Sequence, residues 1–175
     1  MRTRSCVQVL RTILLVSLLL GMFLGSSQAF QPSFAGPSAA QAGIDASQLL
    51  TKEEVGAILG TTILAVKTGG DGASYSSATY ITSDGSTIVF LVQQSRDAAA
   101  AQAVLEKNKG ASKSTSGVDP EPVSGLGDRA FWAGGRANTI AVVKGKYWLS
   151  VAMLLIDSPK EPAMKLAVKA LQRLS

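Results

Sequence analysis

The side chains that do chemistry in proteins are sparse in this chain, and the absences narrow the options first. None of the 175 residues is histidine, and the single cysteine is Cys6. A triad that needs imidazole, a disulfide framework and a Cys/His zinc site are therefore excluded together. An enzyme built from what remains would rely on carboxylates or a lysine base. Glu53 and Glu54 are neighbours in a helix-forming stretch, so their side chains point apart. Asp119 and Glu121 alternate with Pro120 and Pro122 in a polar segment. Neither pair has the arrangement of an acid–base couple.

Lys67-Thr68-Gly69 matches one of three motifs of the penicillin-binding and β-lactamase serine enzymes. The Ser-x-x-Lys and Ser-Asp-Asn motifs that complete such a site do not occur, and a three-residue match arises readily by chance. Gly-x-Ser-x-Gly and Gly-x-x-x-x-Gly-Lys are missing too. The reading is a protein without catalytic residues, metal ligands or a cofactor.

The most specific segment is Gly125-Leu126-Gly127-Asp128-Arg129-Ala130. Two glycines around one leucine predict a tight turn with positive φ that delivers the chain into a strand. On one reading the turn amides and Arg129 contact an anion or carboxylate. On the other, Gly125, Gly127 and Asp128 form a purely structural turn, and Arg129 is the surface partner of Asp128. Phe131-Trp132 and Tyr147-Trp148 are consecutive aromatic pairs on strands, so one member of each faces away from the other. With Phe131 in the core, Trp132 is expected on the opposite face beside Arg129. Arg129 and Trp132 are thus the candidate contacts for a ligand or partner.

Positioning these residues requires a folded domain, and its elements are signposted. Thr51 and Glu54 form a capping box, with Leu50 and Val55 placed as a hydrophobic staple and Gly60 as the stop. Strands are predicted over Thr61–Val66, Ala73–Thr82 and Thr87–Gln94, the last two around a two-residue Asp84-Gly85 turn. An alanine-rich helix follows to about Lys107, and residues 109–124 read as a mobile loop. Then come a strand over Arg129–Ala133, a hairpin of Asn138–Val143 with Tyr147–Ile156, and a terminal helix beginning at Ser158-Pro159 or Glu161-Pro162. The strand from Trp148 to Ile156 is apolar except at Ser150, which predicts a central strand covered on both faces.

The sum is one α+β domain over residues 45–175. It is expected to hold an antiparallel sheet of about five or six strands with helices on one face, and its two strand-strand-helix units suggest a loose internal duplication.

Ahead of the domain, residues 1–29 have the parts of a secretory signal peptide. Arg2, Arg4 and Arg11 form the charged region, Ile13–Leu24 the apolar one, and Ser27 and Ala29 the peptidase positions. Residues 30–44, rich in Pro, Ser, Ala and Gln, read as a flexible tether. The leader holds three of the 17 basic residues and none of the 12 acidic ones, so its removal lowers the formal charge from +5 to +2. That balance, without a basic stripe, argues against nucleic acid as a partner. The alternating charges of Lys160, Glu161, Lys165 and Lys169 mark the solvated face of the last helix.

The combination of Leu50-Thr51, Glu54-Val55 and Ile58-Leu59-Gly60 with the downstream Gly125–Ala130 segment, a hairpin and a terminal helix resembles a known group. It is similar to exported domains of unknown function in actinobacterial lipoproteins and to sensor-like extracellular domains of mycobacterial receptor kinases. The likeness spans about Leu49 to Leu174 and implies the fold and an envelope location, with no shared enzymatic activity. The chain departs from that group in lacking a lipobox cysteine and core cysteines.

The functional expectation is a secreted or periplasmic, non-catalytic domain that binds a small molecule or an envelope protein. It would not be a lipoprotein and would have no membrane span once the signal is removed. A carboxylate-dependent hydrolase and a purely structural envelope protein are the competing classes. N-terminal sequencing of the exported protein should begin at Phe30, and a sequence beginning at Met1 would contradict cleavage.

Overall fold

The computed structural model describes residues 43–136 and 138–174. The leader, and all but the last two residues of the tether, lie outside the described residues. Four helices are seen: α1 (Ala46–Leu49), α2 (Lys52–Leu59), α3 (Ala98–Ser116) and α4 (Lys160–Leu171). The strands are β1 (Ile63–Gly70), β2 (Tyr75–Thr82), β3 (Thr87–Gln94), β4 (Glu121–Pro122), β5 (Arg129–Ala133), β6 (Thr139–Lys144) and β7 (Tyr147–Leu154). They form one antiparallel sheet in the order β1-β2-β3-β7-β6-β5-β4. No helix among the described residues is long and apolar enough to cross a membrane.

The α+β antiparallel architecture agrees with the sequence reading, but the strand count is seven. The addition is β4, two residues that pair Glu121 with Trp132 and Pro122 with Phe131. Proline is compatible with that place, because an outermost strand need not donate a ladder hydrogen bond. The hairpin between β2 and β3 is longer than the expected two-residue turn. Thr82 N–H donates to the Ser86 carbonyl at 3.1 Å, leaving Ser83, Asp84 and Gly85 as the loop, with Gly85 at φ 86°. This is the three-residue loop that ends in a left-handed glycine.

The larger correction concerns residues 109–124, which are not a loop. Helix α3 continues through Ser116, and only residues 117–120 connect it to β4. The extension is built from hydroxyl residues that bond back to their own helix. Ser114, Thr115 and Ser116 donate to the carbonyls of Gly110, Ala111 and Ser112 at 3.1, 3.0 and 2.8 Å. Gly117, at φ 72°, closes the helix with its N–H on the Lys113 carbonyl at 2.9 Å. The Lys113–Asp119 ion pair at 2.7 Å holds the chain as it leaves.

Strand alternation divides the core into two layers. On the front, Ile88, Phe90, Val92, Ile140, Val142, Leu149, Val151 and Met153 pack with Ala46 and Leu49 of α1, Val55 of α2 and Leu166, Ala167 and Ala170 of α4. On the back, Phe131, Ala133, Ala141, Val143 and Trp148 pack with Ala101 and Leu105 of α3. The helices therefore occupy both faces, not one as expected. The reason lies in the strands. β5, β6 and β7 are buried at nearly every position, whereas β2 and β3 alternate buried with half-buried residues. Two apolar faces need two covers, and α3 supplies the second. β7 is central and enclosed, as its sequence implied.

Helix α2 and the segment that follows α4 are tied together on the front. Thr51 and Glu54 make the reciprocal capping box, at 3.3 and 3.2 Å, and Leu50 and Val55 are fully buried. Glu54 also receives both Arg173 guanidinium nitrogens, at 2.6 and 2.7 Å. Bonding to Arg173 first, and then to the Thr51 amide and nearby Lys169, outweighs partial burial and lowers the Glu54 carboxyl from 4.5 to about 2. Because the folded value is depressed, this clamp is present above the ordinary glutamate range and is lost as the pH falls towards 2. The Tyr80 hydroxyl, buried in the same layer, donates to the Leu50 carbonyl.

Trp132 is the clearest reversal. It does alternate with Phe131, but its face is the front core, where it is 7% exposed. β5 is flanked by β4 and β6, so neither face nor edge leaves Trp132 open. Trp132→Ala should therefore destabilise the domain by about 3–5 kcal/mol in urea unfolding, as truncated core aromatics do. A change below about 1 kcal/mol would return it to the surface.

Candidate functional site

Where α3 crosses the start of β5, an open cleft of about 380 Å³ lies between the helix and residues 122–131. Its helical wall is Leu105, Glu106 and Lys109; its other wall is the glycine turn leading to Arg129. Helical spacing explains the first wall, since Leu105 and Glu106 both lie about one turn before Lys109. Leu105 is buried against the back of the sheet, leaving Glu106 and Lys109 at the mouth.

The second wall is formed by a turn that only glycine suits. Gly125 and Gly127 stand at φ 75° and 61°, and between them Leu126 turns inward to join the front core. A Cβ on Gly127 would overlap the Val143 carbonyl oxygen and lie 2.6 Å from Val142 Cγ1. The closeness has a purpose in the fold: Asp128 N–H donates to the Val143 carbonyl at 2.7 Å. The Asp128 carboxylate accepts the Gly145 N–H at 2.6 Å, tying the turn to the β6–β7 hairpin. Asp128 is thus a structural residue, but its partner is Gly145 and not Arg129.

Arg129 pairs in register with Val143 and shares a strand face with Phe131 and Ala133, so its side chain rises on the α3 side. There its guanidinium meets Glu106 at 2.7 Å, both side chains being about half exposed. An ion pair so open to water contributes at most about 1 kcal/mol. A ligand carboxylate could therefore replace Glu106 on Arg129 at small cost. Arg129 and Lys109 supply two cations to the cleft, against the carboxylates of Glu106 and Asp128.

Of the residues singled out from the sequence, Gly125, Gly127, Asp128 and Arg129 come together here, while Trp132 is on the opposite face of the sheet. Glu106 and Lys109 were not anticipated. Their signal is helical spacing: Lys109 falls beyond a helix ending near Lys107, and Glu106 falls within it, where spacing alone does not say which strand it faces. The other candidate carboxylates are engaged elsewhere: Asp119 with Lys113, and Glu121 with Lys160 at 2.6 Å. Lys67, Thr68 and Gly69 lie on the outer strand β1, exposed to solvent. Among the described residues no group of three or more acidic, histidine or cysteine side chains is arranged to hold a metal ion.

No family model matches the chain, and no curated protein matches it significantly.

The two turn glycines allow an internally controlled test. Gly127→Val should destabilise by about 2–4 kcal/mol, combining left-handed strain with overlap on β6. Gly125→Ala, which meets nothing within 4 Å, should cost only about 1 kcal/mol from its φ. Equal losses in urea unfolding would contradict the close approach at Gly127.

Proposed function

We propose that this is an exported, non-catalytic binding domain of the cell envelope, and that the Arg129 cleft is its site. The ligand class is a small carboxylate, or a carboxylate presented by a protein partner. The observation that carries the reading is the placement of Arg129. Its guanidinium sits in an open cleft beside a glycine turn and is held by one displaceable partner, Glu106. Arginine suits that role because its planar fork meets a carboxylate through two parallel hydrogen bonds. The leader and the likeness to exported envelope domains support the location.

A hydrolase reading has less support from the same geometry. The two carboxylates lining the cleft, Glu106 and Asp128, are exposed and already committed to Arg129 and the Gly145 amide. A general acid is usually set apart by burial or by a close like charge.

Titration of labelled protein with acetate, succinate and glutarate, followed by amide NMR, tests the proposal. Shifts should concentrate at Gly125–Arg129. Arg129→Ala should weaken binding at least tenfold, and Glu106→Gln should strengthen it several-fold by freeing the guanidinium. If the turn amides stay unmoved at saturating carboxylate, or Arg129→Ala binds as well as wild type, the cleft is not the site.

A further inference from the structure

The Arg129 cleft is bounded by a strand edge as well as by a turn. β4 is the last strand of the sheet, so no strand among the described residues pairs with its outer side. The Val123 N–H donates inward, to the Ala130 carbonyl at 3.0 Å. Backbone groups alternate along an antiparallel strand, so the neighbours of Val123 turn theirs outward. The outer edge therefore offers the Pro122 carbonyl and the Ser124 N–H, and both residues line the cleft. Pro122 lies opposite Phe131, which places its ring on the face that Phe131 and Leu105 share.

Proline decides how a further chain can pair there. In an antiparallel ladder the residue opposite Pro122 needs both its carbonyl and its N–H, and proline has no N–H. In a parallel ladder the incoming residue lies beside Val123 and bonds to the Pro122 carbonyl and the Ser124 N–H. Those are the two groups present. A parallel chain runs as β4 runs, from Glu121 towards Gly125. Its carboxyl end consequently arrives at the glycine turn, where an antiparallel chain would bring its amino end.

The turn suits a carboxylate. The N–H groups of Ser124, Gly125, Leu126 and Gly127 make no hydrogen bond among the described residues. Successive open amides in a turn form a concavity for anions. The turn is held in place without them, because Gly127 sits against Val143 and Asp128 is anchored to Val143 and Gly145. Arg129 follows immediately, with Lys109 on the opposite wall. An incoming amino group would find no free acid, since Glu106 and Asp128 are both engaged. At about 380 Å³ the cleft is in the size range of sites that enclose a whole ligand, more than one carboxylate fills.

We infer that the ligand of the Arg129 cleft is the free carboxyl terminus of a polypeptide, laid parallel to β4 as one more strand. This rests on the carboxylate reading of the cleft and narrows it. The terminal carboxylate takes the turn amides and Arg129, displacing Glu106, while the residue beside Val123 makes two main-chain hydrogen bonds. Recognition is then of a chain end more than of particular side chains.

The probe is an N-acetylated tetrapeptide of alanine and valine with a free carboxyl terminus, titrated into labelled exported protein beside acetate and succinate. It should bind at least tenfold tighter than either small acid, and its amide shifts should reach Val123, which acetate leaves unmoved. The same peptide with a carboxamide terminus should lose at least tenfold, as should one N-methylated at every peptide nitrogen. In Arg129→Ala the preference for free acid over carboxamide should shrink below threefold. If acetate moves the turn but the free-acid peptide binds no tighter than acetate, succinate or its own carboxamide, the inference falls and the carboxylate cleft stands. An N-methylated peptide that binds like its parent, or a preference that survives Arg129→Ala, overturns it as well. If no carboxylate, small or peptidic, moves the turn, both readings fall.

Discussion

The pairing of β3 with β7, Thr87 opposite Leu154 through Gln94 opposite Tyr147, joins halves of the chain that no local turn could bring together. On either side of it lies a three-strand meander, β1-β2-β3 and β5-β6-β7, each closed by short connections. Hairpins specify their own register, but this central pair is about sixty residues apart in sequence. Its register must come from side chains, because a slip of one residue would send Phe90 and Val151 out of the front core together. The α1, α2 and α4 layer acts on that choice. It offers an apolar surface to Ile88, Phe90 and Val92 from one half and to Leu149, Val151 and Met153 from the other.

The asymmetry of the back face follows from the same pairing. Once β7 is central, its back face, with Trp148 and the neighbouring Ala141 and Val143, cannot be left in water. Helix α3 leaves β3 and crosses to β5, covering one half of the sheet and leaving the half formed by β1, β2 and β3 open. The cleft is a consequence of that crossing. Glu106 and Lys109 belong to the helix, Arg129 to the strand beneath it, and the glycine turn closes the end.

The domain spends conformational freedom in distinct ways at the two ends of the sheet. At one end the glycines of the turn accept positive φ without strain and let the backbone approach β6 closely. At the other, Leu155 and Ser158 take similar angles without being glycine, and Leu155 gains no burial in return. Strain that local packing does not repay is more informative about surface interactions than exposure alone, since single exposed leucines are ordinary.

Features governed by neighbours in the chain could be read from the residues alone. Thr51 with Glu54, Gly60 as a helix stop, and the alternation of β2 and β3 all depend on contacts within a few positions. The positive φ at Gly127 and the apolar run of β7 are legible too, although the close approach to Val143 and the helix that covers the back of β7 are distant in sequence. What depended on distant partners could not be read in this way. The polar run to Ser116 stays helical with its hydroxyls turned back onto carbonyls four residues earlier and Gly117 ending it, a choice that composition alone makes look like a loop. Alternation correctly set Trp132 opposite Phe131, but only the helices decide which strand faces are covered, and here both are. Arg129 was visible as a candidate, yet its partner Glu106 was not: twenty-three positions separate them, and the crossing of α3 over β5 alone brings them within 2.7 Å.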